Sequence, residues 1–126
     1  MTKTIYVVDD DPVFCELITQ TLRDDGYDAI PALNGEEALS LYKQAVPDLV
    51  LLDVAMPGKT GFDVAAEIRE TEQKSARRTI IVIMTAHARS YAISRDFHAG
   101  IDGYLLKPVS AQEVLAQVHQ LLPKTG

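Results

Sequence analysis

The chain has no tryptophan, a single cysteine and no long apolar run. One thiol, Cys15, excludes an internal disulfide. Set in an apolar helical stretch, it reads as a small buried hydrophobe, with a reactive thiol as the alternative. The apolar runs are too short to span a bilayer as a helix. Met1-Thr2-Lys3-Thr4 leads into only four apolar residues, too few for a secretory signal, so the cytoplasm is the expected location. Basic residues are also in deficit: 12 Lys and Arg against 18 Asp and Glu leave a net charge of −6. Phosphates repel such a surface, which disfavours direct contact with nucleic acid or anionic membrane but leaves metal ions and basic proteins open as partners.

What is present suits one ordinary domain. The 126 residues fit a single unit over 1–126, with its core at about 4–122 and a short C-terminal tail. Short apolar runs at 5–8, 28–32, 49–52, 80–84 and 104–106 alternate with helical patterns. Continuous apolar runs of this length indicate parallel strands covered on both faces. Asp11 with Pro12 reads as the start of a helix whose face holds Val13, Phe14, Leu17, Ile18, Thr21 and Leu22, stopped at Gly26. Asn34 and Glu37 open a helix burying Ala38, Leu41, Tyr42 and Ala45. Thr60 with Asp63 precedes Val64, Ala65 and Ile68, and Ser110 with Glu113 opens a last helix burying Val114, Leu115, Val118, Leu121 and Leu122. A further helix at 89–98 is expected but shows no settled apolar face, and 73–78 reads as a solvated connection. The order βαβαβαβαβα favours an α/β, doubly wound sheet.

In such a sheet, ligands bind beyond the carboxyl ends of the strands. Asp9, Asp10 and Asp11 follow the first run, Asp53 the third, Thr85 the fourth, and Lys107-Pro108 the fifth. Each alone has an ordinary explanation: Asp11 as a helix cap, Asp9 and Asp10 as turn residues, Thr85 as a strand-end threonine, Lys107 as a solvated lysine. Together they form a set suited to phosphate or metal. Clustered carboxylates raise one another's pKa, and a divalent cation such as magnesium relieves that conflict. Phosphoryl transfer needs mainly positioning and charge stabilisation, for which a carboxylate nucleophile, a metal, one lysine and one hydroxyl suffice.

At these residues the chain resembles the response-regulator receiver family over essentially its full length. The matching pieces are Val7-Val8-Asp9-Asp10-Asp11-Pro12, Pro47-Asp48-Leu49-Val50-Leu51-Leu52-Asp53, Met56-Pro57-Gly58-Lys59-Thr60-Gly61, Met84-Thr85-Ala86, Ala99-Gly100 and Gly103-Tyr104-Leu105-Leu106-Lys107-Pro108. The resemblance implies a flavodoxin-like five-stranded parallel sheet of order 2-1-3-4-5 with five helices. It implies that Asp53 accepts a phosphoryl group from the phosphohistidine of a histidine kinase or histidine phosphotransfer protein. Mg2+ would be held by Asp10, Asp53 and the backbone carbonyl of Ala55, with Asp9 acting through a water. Lys107 would pair with phosphoryl oxygens behind a cis Lys107-Pro108 bond. Thr85 and Tyr104 would switch together, altering the face of the fourth helix, fifth strand and fifth helix where an effector docks. A monomer or weak dimer is implied, and a signalling domain rather than an enzyme with an external substrate. Ala55 and His87 stand at positions that influence hydrolysis of the phosphoryl group in this family. Alanine cannot orient a water, while His87 either does so or is simply exposed. His98 and His119 read as ordinary helix residues. Thr85-Ala86-His87-Ala88 also resembles receivers attached to hybrid kinases, which suits a phosphorelay.

Rival readings are weaker. Gly58-Lys59-Thr60 lacks the earlier glycine of a phosphate-binding P-loop, since Asp53 stands there. A dehalogenase-like phosphatase would need a carboxylate where Ala55 stands. A flavin phosphate would be repelled by Asp9, Asp10 and Asp11. The remaining alternative is a receiver-like binding module that works without phosphorylation.

Overall fold

Five short apolar runs form strands, and the patterned segments between them form helices, in the computed structural model, which describes residues 2–74, 77–86 and 100–123. In chain order the elements are β1 (Thr4–Val8), α1 (Pro12–Asp24), β2 (Asp28–Ala32), α2 (Gly35–Gln44), β3 (Leu49–Asp53), α3 (Gly61–Glu72), β4 (Ile80–Thr85), β5 (Gly103–Leu106) and α4 (Ala111–Leu121). Every strand pairing is parallel and the order is 2-1-3-4-5, as expected. Five helices were expected, whereas the described residues hold four. The helix expected at 89–98 lies outside them, so α4 is the helix counted fifth in the sequence.

The central strands build two cores at once. Because side chains alternate across a strand, Ile5, Val7, Leu49, Leu51, Val82 and Met84 face α1 and α4, where they meet Cys15, Ile18, Leu22, Val114 and Val118. Tyr6, Val8, Val50, Leu52, Ile81 and Ile83 face α2 and α3, where they meet Ala38, Tyr42, Val64, Ala65 and Ile68. Two-sided burial is why these runs are apolar at every position.

Helix starts follow the expected chemistry. Asp11 caps α1, its carboxylate accepting from the Val13 and Phe14 amides at 3.0 and 3.3 Å. Thr60 with Asp63 and Ser110 with Glu113 form full capping boxes. Asn34 caps α2 by accepting from the Glu37 amide, but its own amide group donates to the Glu37 carboxylate, so the reciprocal half of the box is replaced.

The buried face of α1 differs from the expected one. Cys15, Ile18, Thr19 and Leu22 are buried, at i, i+3, i+4 and i+7, while Val13 and Leu17 are 77% and 52% exposed. Thr19 can be buried because its hydroxyl donates to the Cys15 carbonyl at 2.7 Å, which satisfies its polar atom within the helix. Ala45 also departs from expectation: it is the extended cap that ends α2 and is exposed. Tyr6 helps terminate that helix, its hydroxyl lying against the carbonyls of Leu41 and Ala45.

At the edge where β4 begins, a charge network ties α3 to the neighbouring strands. The Arg69 guanidinium donates to the Gly100 and Thr79 carbonyls, each at 2.8 Å, to Glu72 at 2.7 Å and to Asp102 at 3.0 Å. Asp102 also accepts from the Ile81 amide at 2.8 Å. Nothing in the residue pattern around Arg69 foretold this.

Candidate functional site

The carboxyl ends of β1, β3, β4 and β5 gather the polar residues that follow the apolar runs. Asp9 comes directly after β1 and is 0% exposed, Asp53 ends β3 and is buried, Thr85 ends β4 and is buried, and Lys107 comes directly after β5. The strands place them together because they are parallel and paired in register, Asp53 opposite Met84 and Thr85 opposite Leu106. The Lys107 amide donates to the Thr85 carbonyl at 2.9 Å, which extends the ladder one step beyond β5.

Lys107 Nζ lies 2.7 Å from Asp9 Oδ2 and 3.3 Å from Asp53 Oδ1. Asp9 Oδ1 accepts from the Asp11 amide at 2.9 Å, so both oxygens of Asp9 have partners. Asp10 is exposed beside them. One carboxylate oxygen from each of Asp9, Asp10 and Asp53 falls within 4.8 Å of the others, a donor set and spacing that fit a hard divalent cation of magnesium type. The Lys107-Pro108 bond is cis, as expected.

Electrostatics make Asp53 an uncomfortable anion. Burial, with the Asp9 charge adding to it, pushes its carboxyl up from 3.8 to about 6, against the opposing pull of Lys107. Burial works against the Lys107 charge, but the hydrogen bond and charge of Asp9, with those of Asp53, outweigh it and hold the ammonium above its ordinary value. The cluster therefore holds more negative charge than one lysine compensates, which is the condition that a cation relieves.

Other expected residues take clear places. Ala55 is exposed in the loop after β3. Tyr104 is half-buried on β5, packed against the core on the α2 and α3 side, and burial raises its phenol pKa. Lys59 pairs with Glu67 of α3. His119 bonds Asp25 at 2.6 Å and joins α4 to the end of α1. Burial pushes the Cys15 thiol up, which suits an inert core residue. His87 and His98 lie outside the described residues.

Two neighbours of the site were not singled out from the sequence. Phe14, read there as part of a core stripe, sets its ring centroid 4.9 Å from Lys107 Nζ. Gly61 begins α3 so close to β3 that an added Cβ would stand 2.5 Å from the Asp53 carbonyl oxygen and 3.3 Å from Val54 Cα. The atoms in the way are backbone and cannot swing aside. Gly61→Ala is expected to cost about 1–3 kcal/mol in urea unfolding, the usual range for overpacking a tight site. An unchanged midpoint would mean that α3 can shift freely away from Asp53.

Comparison with known proteins bears on the family and the fold. The family model for the response regulator receiver domain matches residues 5–119. The DNA-binding response regulator MtrA of Mycolicibacterium smegmatis is 35% identical over 122 residues, 97% of this chain and 51% of that protein. The chain thus spans about half the length of the curated relatives it matches. Among solved structures, response regulator TrrA of Thermotoga maritima, in complex with Mg2+-BeF, superposes with a TM-score of 0.80 at 37% identity, covering 96% of this chain and 100% of that one. Chemotaxis protein CheY4 of Vibrio cholerae gives a TM-score of 0.84 at 27% identity, with 97% and 100% covered.

Proposed function

Since the chain belongs to the response-regulator receiver family, we propose that Asp53 is its phosphorylated residue and that the phosphoryl group comes from a phosphohistidine. The observation that carries this reading is the meeting of Asp53 with Asp9, Asp10 and Lys107 at one sheet edge, the carboxylates within 4.8 Å and the ammonium 3.3 Å from Asp53. An Asp53 oxygen attacks phosphorus, a P–O bond forms, and the P–N bond breaks with its electron pair leaving on the donor imidazole. Lys107 holds a phosphoryl oxygen, as a charge-assisted donor aimed where negative charge accumulates. Mg2+, held by Asp10, Asp53 and the Ala55 carbonyl with Asp9 in support through water, would neutralise phosphoryl charge. Asp9, with both oxygens already engaged, suits that outer role better than Asp10 does.

Thr85 and Tyr104 are the switch. The Thr85 hydroxyl bonds the new phosphoryl group and Tyr104 follows, so the phosphorylated state gains a bond that the other lacks, and the equilibrium shifts by that difference. Tyr104 lies opposite Ile83, two residues before Thr85 on the neighbouring strand, which puts it in reach of such a change. The altered face, made by the helix expected at 89–98 with β5 and α4, would dock an effector protein, with the chain a monomer or weak dimer. Hydrolysis of the aspartyl phosphate, without a side chain at Ala55 to orient water, returns the domain to rest. Among the described residues no helix is long and apolar enough to cross a membrane, and a cytoplasmic kinase or phosphotransfer protein is the donor this reading requires.

The test is intact mass after incubation with Mg2+ and acetyl phosphate, beside Asp53→Asn. A gain of one phosphoryl group that needs Mg2+ and is absent from the variant is expected. If neither acetyl phosphate, a phosphorylated histidine kinase nor beryllofluoride modifies the protein, the chain is a binding module that works without phosphorylation.

A further inference from the structure

Phe14 sits at the third position of α1, where the family reading assigns it nothing. Its place is set by a closed chain of contacts. Asp9 Oδ1 accepts from the Asp11 amide at 2.9 Å, Asp11 Oδ1 accepts from the Phe14 amide at 3.3 Å, and the Phe14 ring lies 4.9 Å from Lys107 Nζ. Lys107 Nζ returns to Asp9 Oδ2 at 2.7 Å. The same buried aspartate thus anchors both the lysine and the turn that carries the ring. The ring is also a wall of a cleft of about 350 Å³ between the start of α1 and the segment after β5, shared with Asp11, Ala86, Lys107, Pro108 and Val109.

From this geometry we infer that Phe14 is a positioning residue for the phosphoryl group: its π face holds the Lys107 ammonium at the distance from which it reaches a phosphoryl oxygen on Asp53. The inference rests on the function proposed above. An ammonium has three donors on a flexible four-carbon stem. Asp9 takes one of them, and Asp53 stands 3.3 Å off, at the long end of hydrogen-bond range. When Asp53 is phosphorylated, the lysine must leave a carboxylate oxygen for a phosphoryl oxygen while its tether to Asp9 persists. A ring face attracts a cation without demanding one direction of N–H, so it permits that swing and restrains the stem. With the side chain of Lys107 only 26% exposed, the attraction acts in a partly water-excluded setting, where cation–π contacts are stronger.

The experiment compares Phe14→Leu, Phe14→Met and Phe14→Tyr with the unaltered protein. It measures calorimetric affinity for Mg2+ alone and for beryllofluoride at saturating Mg2+, with folding checked by circular dichroism. Leucine and methionine keep an apolar side chain and lose the π face, whereas tyrosine keeps both. The expected result is beryllofluoride affinity about 3- to 10-fold weaker in the leucine and methionine variants, the range of a partly desolvated cation–π contact. Tyrosine should restore it, and Mg2+ affinity should be unchanged throughout. On a Lys107→Ala background, Phe14→Leu should add no further loss, because the coupling runs through the lysine. Equal affinities for leucine and the unaltered protein, a parallel loss of Mg2+ binding, or an undiminished Phe14→Leu effect without Lys107 would each overturn the inference. Failure of the unaltered protein to bind beryllofluoride would instead remove the phosphoryl site itself, and this inference with it.

Discussion

Asp53→Asn should make the metal-free protein more stable near neutral pH, by on the order of 1–3 kcal/mol at 1.36 kcal/mol per pKa unit, while abolishing the phosphoryl adduct. The carboxyl titrates at about 6 in the folded chain against 3.8 ordinarily, because it is buried and faces Asp9. Between those values the folded protein holds the proton more tightly than the unfolded chain does. Stability from this group is therefore complete below about pH 4 and is lost as pH rises through about 6. Asparagine has nothing to lose over that window. In urea melts with a chelator, the advantage of the variant should be greatest above pH 7 and should vanish toward pH 4. Millimolar Mg2+ should narrow the gap by stabilising only the unaltered folded chain. An asparagine variant no more stable than its parent at pH 7.5 would show that the carboxylate is not held against its preference.

Lys107→Met should act in the opposite direction. Asp9 Oδ2 would lose its 2.7 Å partner while remaining fully buried, and the Asp53 charge would face it with less compensation. Removing one member of a buried pair costs about 3–5 kcal/mol; partial exposure of the ammonium lowers the expectation here to roughly 2–3 kcal/mol at neutral pH. Acidification should reduce the loss as Asp53 takes a proton. Phosphorylation by acetyl phosphate should slow by about 100-fold, the effect of removing one donor aimed at developing charge. Stopped-flow or mass kinetics with urea melts at pH 5 and 7.5 measure both. Normal phosphorylation kinetics in a folded variant would take the lysine out of the transfer step.

Why the meeting of the strand-end residues could be read so directly, and parts of the fold less so, follows from the kind of information each needs. Asp53, Thr85 and Lys107 stand at the first position after an apolar run or at its end, and a parallel sheet brings such positions to one edge whatever else the chain does. The caps Asp11, Thr60 and Ser110 act through amides two or three residues away, so local spacing contains them. The face of α1 was harder. Val13 and Leu17 are more apolar than Thr19, yet which stripe turns inward depends on how α1 lies on β1 and β2. Thr19 enters the core only because a backbone carbonyl one turn earlier satisfies it. Phe14, Gly61 and Arg69 were passed over because their partners are distant in sequence or are backbone atoms: Lys107 for the ring, the Asp53 carbonyl for the glycine, Gly100 and Asp102 for the guanidinium.

The two cores on either face of the sheet also act as a ruler for the position of Asp53. Leu49 and Leu51 belong to one core, Val50 and Leu52 to the other, and Asp53 is the next residue along. If β3 slid by one residue, every one of these side chains would change sides. Both cores would be mismatched together, and the carboxylate would leave Lys107 by a residue's rise, about 3.3 Å. Placement of the Asp53 carboxylate is thus set by the hydrocarbon along its own strand, and a redesign that loosens either core should blur the strand-end cluster before it melts the fold.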